Sequence, residues 1–322
     1  MKLLKFLAGV ALALSLPFAT HADDEYPSRP IRIVVAFPAG GVTDLASRIV
    51  AEALGKELNQ SVIVENKAGG DGTVGLLEVV KAEPDGYTLL AGGFGGQLIP
   101  PLIKSNFPVD IQESLTLVAR PTEFANVLVV NKDLPVSNVK EFMDYVKERP
   151  GELNFGSSGS ATSDRLTTEM FMQHTGLKLT HVPYKGGAAA LNDLSAGVIQ
   201  VMFGNMPPAL GLIQGGSLKP LAVTSPYRVP QLPDVPTMEE AGVEGFTMTS
   251  WNAIFAPKDL PEDIQNKLSD AIAKAVKRPE TQEQLRKVGF EPVGEGSKEF
   301  QAFFAVERDR WKKVIDAAGL HN

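Results

Sequence analysis

The sequence predicts an α/β protein, strands alternating with helices, on three observations. Short β-branched apolar runs recur along the chain, and stretches with helical spacing of apolar residues fill the gaps between them. Glycine clusters stand where strands give way to helices. The composition, 43% hydrophobic and 21% charged without a low-complexity tract, is that of an ordered globular chain, and 322 residues suffice for about two domains. The chain has no cysteine, which removes disulfides, thiolate metal sites and a cysteine nucleophile together. A formal charge of −7 lacks the basic footprint that nucleic acid requires, so any anionic ligand must be held locally.

Lys2 and Lys5 open the chain, an apolar run follows from Phe6 to about Leu16, and Thr20-His21-Ala22 has the small-residue pattern of a signal-peptidase site. The apolar run is well short of the ~20 residues that span a bilayer. Residues 1–22 therefore read as an export leader cleaved after Ala22, and the absence of a following cysteine leaves no lipid attachment site. The mature protein is expected in the periplasm and outside the membrane.

Ile31 to Phe37 (IRIVVAF) is nearly continuous and β-branched, as a strand buried on both faces should be. A helix follows, with Leu45, Ile49, Leu54 and Leu58 on one face and Thr43 or Asp44 as its capping residue. Further strands are expected at Val62–Val64, Tyr87–Leu90, Leu115–Val118, Val127–Val130, Leu179–Val182, Val198–Phe203 and Leu221–Val223. The segment Ser163 to His174 reads as a helix that Gly176 stops. After an apolar stretch from Phe246 to Phe255, Pro261 starts a helix carrying Ile264, Leu268, Ile272 and Val276. A last helix is capped by Ser297 and carries Phe300, Phe304, Trp311 and Ile315. No flexible linker divides the middle of the chain, so the C-terminal helices are expected to return to the N-terminal sheet, making one domain discontinuous.

Four glycine-rich strand-to-helix junctions carry the functional signal: FPAGGVTD (37–44), AGGDGTVG (68–75), GSSGSATSD (156–164) and YKGGAAA (184–190). Glycine admits close backbone approach, and a helix start offers unpaired N–H groups with about half a positive charge, which suits carboxylate or phosphate. One such junction is ordinary; four predict convergence on a single cleft. Arg165 lies in the first turns of a helix, where a cation opposes the dipole, and this misfit is read as a sign that it faces an anion. Asp44 reads equally as a cap or as a cleft residue.

Other chemistries fit poorly. Gly70-Asp71-Gly72-Thr73-Val74-Gly75 matches GxGxxG, but it does not follow its strand directly and no acid ends the next strand at Ala91-Gly92-Gly93-Phe94, so no dinucleotide cofactor is expected. His174, His181 and His321 form no metal-ligand pair. Without a GxSxG elbow, Ser157, Ser158 and Ser160 read as hydrogen-bond donors, not nucleophiles. Acids on the helices fall mostly at solvated positions. A periplasmic hydrolase using an acid pair, and a sensory module that docks a partner when loaded, are the rival readings.

Across residues 26 to 320 the chain resembles the Bug or TctC family of periplasmic receptors of tripartite tricarboxylate transporters. The resemblance rests on YPSRPIRIVVAFPAGGVTDLASR (26–48), VIVENKAGGDGTVG (62–75), PDGYTLL (84–90), VPYKGGAAALNDLSAG (182–197), LPDVPTMEEAG (232–242) and the closing WKKVI (311–315). It implies a two-lobed type 2 periplasmic-binding fold with strands crossing between lobes, closing on a small organic acid without bond chemistry. The lobes expected are residues 23–124 with 247–322, and 125–246. Ligand-contacting positions carried over are Phe37, Ala39, Gly40, Gly41, Thr43 and Asp44 in the first loop, with Gly72, Thr73 and Gly93 beside it. Ser157, Ser158, Ser160, Thr162, Lys185, Gly186, Gly187, Ala188 and Asn205 would come from the opposite lobe. The partners implied are a di- or tricarboxylate, amino acid or aromatic acid and integral-membrane transporter subunits, with the receptor itself a monomer. Three positions depart from the family pattern: Arg165 where a histidine is frequent, Ile99-Pro100 in place of Asn-Pro, and Trp251-Asn252-Ala253 in place of Trp-x-Gly.

Overall fold

The computed structural model describes residues 26–159, 161–319 and 321. The expected leader, residues 1–22, and Ser160 lie outside the described residues. In chain order the elements are β1 (Ile31–Val35), α1 (Val42–Leu58), β2 (Val62–Asn66), α2 (Thr73–Val80), β3 (Thr88–Gly93), α3 (Ile99–Ile103), α4 (Ile111–Ser114) and β4 (Leu115–Asn131). Then come α5 (Val139–Lys147), β5 (Asn154–Ser157), α6 (Ser163–Thr175), β6 (Thr180–Pro183), α7 (Gly187–Ala196), β7 (Val201–Asn205), α8 (Met206–Gln214) and β8 (Leu218–Val223). The chain closes with β9 (Thr249–Pro257), α9 (Glu262–Lys277), α10 (Pro279–Lys287), β10 (Glu291–Glu295) and α11 (Ser297–Ala318).

The strands run in the order β2-β1-β3-β9-β4-β7-β5-β6, with β8 and β10 also paired to β4. β4 divides this array. Its residues Leu115 to Ala125 pair with β9 and β10, and Asn126 to Asn131 pair with β7 and β8. Two lobes result, joined by a strand that belongs to both. β1 is parallel to β2 and β3, and Ile31, Ile33, Val34 and Val35 are wholly buried, as their continuous apolar run predicts. One apolar cluster covers each face of each half-array: Phe94, Trp251, Phe300 and Trp311 on one side of the first, Leu54, Ile272 and Phe290 on the other. In the second half Phe155, Phe171 and Phe203 face one way, and Leu191, Met202 and Leu210 the other. The C-terminal helices return to the first lobe, α9 and α11 packing on β4.

Several expectations need correction. Leu115–Val118 and Val127–Val130 are the ends of a single 17-residue strand, not two strands. The polar residues between them hid this. Arg120 is buried there because Glu295 accepts from its Nε and Nη2 at 2.7 and 2.8 Å, and register shifts at Leu117/Ala119 and Ala119/Thr122 let the strand bend between lobes. Thr43 and Asp44 do not cap α1; Gly41 occupies that position and no side chain bonds the helix start. Ser297 is likewise inside α11, its hydroxyl donating to the Leu117 carbonyl at 2.6 Å. Gly176 does end α6, with φ 71°. Among the described residues no helix is long and apolar enough to cross a membrane.

Candidate functional site

A cleft of about 330 Å³ lies between the lobes. Its first wall is the turn from β1 into α1, Phe37 to Ala39 and Gly41 to Thr43, together with Gly93 to Gly96 at the end of β3. The second wall is Ser158, Thr162 and Ser163 before and within α6, Lys185 to Ala189 at the start of α7, and Asn205 and Pro208 at α8. Phe124 of β4, the strand shared by the two lobes, and Ser250, Trp251 and Asn252 of β9 beside it form the floor.

Four helices, α1, α6, α7 and α8, begin at this cleft, and none has a side-chain cap. Elsewhere α4 and α5 are capped by Asp110 and Asn138, while α2, α3, α9, α10 and α11 also lack a side-chain cap, so what sets the four apart is that they converge. At α6 and α8 the residue that could cap is occupied elsewhere. The single Thr162 hydroxyl proton is shared between Asp164 and the Gly159 carbonyl, and the Asn205 amide donates to Asn126 Oδ1 at 3.1 Å and Ser163 Oγ at 2.7 Å. Helix starts so arranged leave N–H groups and the positive dipole end for an anion, although at α6 the Arg165 N–H is taken by Asp164 at 2.9 Å. Lys185 is the one ionised side chain among the lining residues, and no carboxylate is among them.

Two buried carboxylates brace the walls from behind. Asp44 accepts from the Gly40 N–H at 2.9 Å, Asn66 Nδ2 at 2.9 Å and the Arg48 guanidinium at 2.9 and 3.1 Å. Burial raises its pKa, but Arg48, Gly40 and Asn66 outweigh that and hold it below the usual range. Asp164, wholly buried, accepts from the N–H groups of Ser158 at 2.7 Å and Arg165 at 2.9 Å, and from the Thr162 hydroxyl. Burial pushes its pKa up, against those three donors. The Phe37 ring is seated between Gly72 and Gly96, where added β-carbons would stand 3.1 and 3.3 Å from it.

Arg165 is not part of the cleft lining. Its Nε donates to Glu169 at 2.9 Å, four residues on, and its Nη1 lies 2.7 Å from His181 Nδ1. The misplaced cation thus finds its anion on its own helix. Because arginine only donates, His181 Nδ1 must accept, so Nε2 carries the proton and donates to Ser157 Oγ at 2.7 Å. Ser157 in turn donates to the Gly159 carbonyl at 2.8 Å. A histidine that donates to serine does not act as its general base. The set instead fixes the turn before α6.

Burial, and after it the Arg165 charge, lower the His181 pKa from 6.5 to about 4. Between those values the unfolded chain binds the proton and the folded one does not, so this contribution is complete above pH 6.5 and is lost as the pH falls toward 4. The melting temperature of the wild type should therefore fall more between pH 6.5 and 4 than that of His181→Gln, whose amide can make both bonds without titrating. Parallel curves would contradict the assignment.

Of the positions expected at the site, Phe37, Ala39, Gly41, Thr43, Gly93, Ser158, Thr162, Lys185, Gly186, Gly187, Ala188 and Asn205 stand together around the cleft. Gly40, Asp44, Gly72, Thr73, Ser157 and Arg165 are outside its lining, most of them in the layer behind. The expectation missed the Phe94–Gly96 turn, Phe124, Ser163, Pro208 and the β9 floor. The glycine run AGGFGG was a visible signal for the first, and Ser250 and Asn252, two apart within an apolar strand, for the last.

The family model described as the tripartite tricarboxylate transporter family receptor, TctC, matches residues 46–320. The chain belongs to the TctC family. Among TctC relatives, protein BugT of Bordetella pertussis strain Tohama I is 34% identical over 312 residues, covering 97% of this chain and 96% of BugT. The structure of Rpa4515 from R. palustris with adipate superposes with a TM-score of 0.89 at 34% identity, covering 92% of this chain and 99% of that one. MatC from Rhodopseudomonas palustris, solved with bound malate, gives 0.84 at 29% identity, covering 90% and 100%. The TctC protein accordingly has the two-lobed periplasmic-binding fold.

Proposed function

We propose that this TctC protein is a periplasmic receptor that captures a small organic carboxylate between its lobes and hands it, chemically unchanged, to integral-membrane transporter subunits. The observation that carries the reading is the convergence of four uncapped helix starts on one cleft that presents a lysine and no acid. Fixed N–H dipoles there can replace the water lost by a carboxylate as the lobes close. Binding of adipate and malate by relatives supports the ligand class. In this reading residues 1–22 are removed after Ala22, residues 23–124 with 247–322 form one lobe and 125–246 the other, and the receptor acts as a monomer. Phe37, Gly41, Thr43, Ser158, Thr162 and the Gly186–Ala188 turn make the contacts.

Native mass spectrometry of the purified protein tests it. A retained small acid, released intact on unfolding, is the expected result; a converted product would make the protein an enzyme.

A further inference from the structure

Among the described residues three buried side-chain polar atoms have no hydrogen-bond partner: Gln97 Nε2, Ser250 Oγ and Trp251 Nε1. Ser250 is 1% exposed and lines the cleft. A buried hydroxyl without a partner is costly, and one in a ligand cleft points to a partner supplied by the ligand. Its surroundings do not supply one. Phe124 stands opposite it in the β4–β9 register. Asn252, two residues on and therefore on the same face of β9, donates its amide to Thr122 Oγ1 at 3.1 Å. Trp251 turns the other way, into Phe300, Phe303 and Phe304.

We infer that Ser250 is a ligand-contacting residue whose hydroxyl donates to a second acceptor group of the bound acid, at the end remote from the carboxylate held by the helix starts. The inference rests on the carboxylate-receptor reading and adds a specificity determinant on the cleft floor. Ser250 pairs with Phe124 of β4, the strand that runs through both lobes, so the hydroxyl sits on a sheet residue and not on one of the two loop walls. An acid with one polar end would leave this donor unmatched; an α,ω-diacid that reaches the floor would match it. The volume of the cleft, about 330 Å³, is that of a small-ligand site, with room for a short carbon chain carrying a polar group at both ends.

The test is Ser250→Ala, titrated by calorimetry with C4 to C8 α,ω-dicarboxylates and the monocarboxylates of equal length, with melting curves of ligand-free protein. Two changes of opposite sign are expected. The ligand-free variant should melt about 2 °C higher, since an unmatched buried hydroxyl is gone. Its affinity for the diacid that wild type binds best should fall at least about tenfold, with the matched monoacid changed less than about twofold. Equal loss for both acids, no loss for the diacid, or a lower melting temperature without ligand would overturn the role of Ser250 and leave the receptor reading standing. Failure of wild type to bind any acid in the panel would overturn both.

Discussion

Gly93→Ala is expected to destabilise the first lobe by at least about 3 kcal/mol. Gly93 has φ 153°, a region that side chains with a β-carbon rarely adopt, and an added β-carbon would lie 2.2 Å from the Trp251 carbonyl oxygen of the neighbouring strand. The obstacle is backbone, so relief requires parting β3 from β9 at the Gly93–Asn252 pair, the seam beneath the cleft. Gln97, whose Oε1 accepts from the Gly93 N–H at 2.7 Å, would lose its anchor too. A urea midpoint well below wild type is the expected outcome. Gly211→Ala is the control: it lies inside α8 with nothing within 4 Å of the added carbon, and a gain of about 0.5–1 kcal/mol is expected there. Equal midpoints for Gly93→Ala and wild type would refute the close-approach argument.

Gly186→Val should separate folding from binding. Gly186 precedes α7 on the second wall, in extended backbone open to any residue, and its added β-carbon would stand 3.3 Å from Pro38 Cγ on the first wall. Valine places two further methyl groups in that gap and wedges the lobes apart without disturbing either core. Overpacking of this kind costs about 1–3 kcal/mol, and here it falls on the closed form alone. Since a ligand that prefers the closed form must then supply that energy, affinity should drop by about ten- to a hundredfold. Ligand-free melting should stay within a degree or two of wild type, and calorimetry should show the loss. Undiminished affinity would mean that the two walls need not meet at Pro38 and Gly186 for capture.

The alternation of strands and helices was readable because buried parallel strands are almost uniformly apolar, as in Ile31–Val35, while α9 shows its single face through Leu268, Ile272 and Val276. The length of β4 was not readable, because Arg120 and Thr122 look like loop residues until their partners Glu295 and Asn252 arrive from more than 100 residues away. Glycine at three of the four strand-to-helix junctions pointed to the cleft through a local property, the need for close backbone approach; the fourth, residues 68–75, contributes nothing to the lining. What local sequence could not show was which polar side chain faces forward. Asp44 read equally as a cap or a cleft residue and Asp164 only as the end of a glycine-rich junction, yet both are buried and brace the walls. Arg165 looked like an anion contact, and its anion is Glu169. Ser250 carried no glycine or helix start to mark it, only a polar interruption in an apolar strand.

Calorimetric titration of the purified mature protein with organic acids, followed by recovery and analysis of the bound acid, reaches the central claim most directly. One molecule of a carboxylate should bind per chain and be recovered unaltered, with the corresponding amide or ester failing to bind. Equal affinity for the uncharged amide, or recovery of a transformed product, would contradict the account.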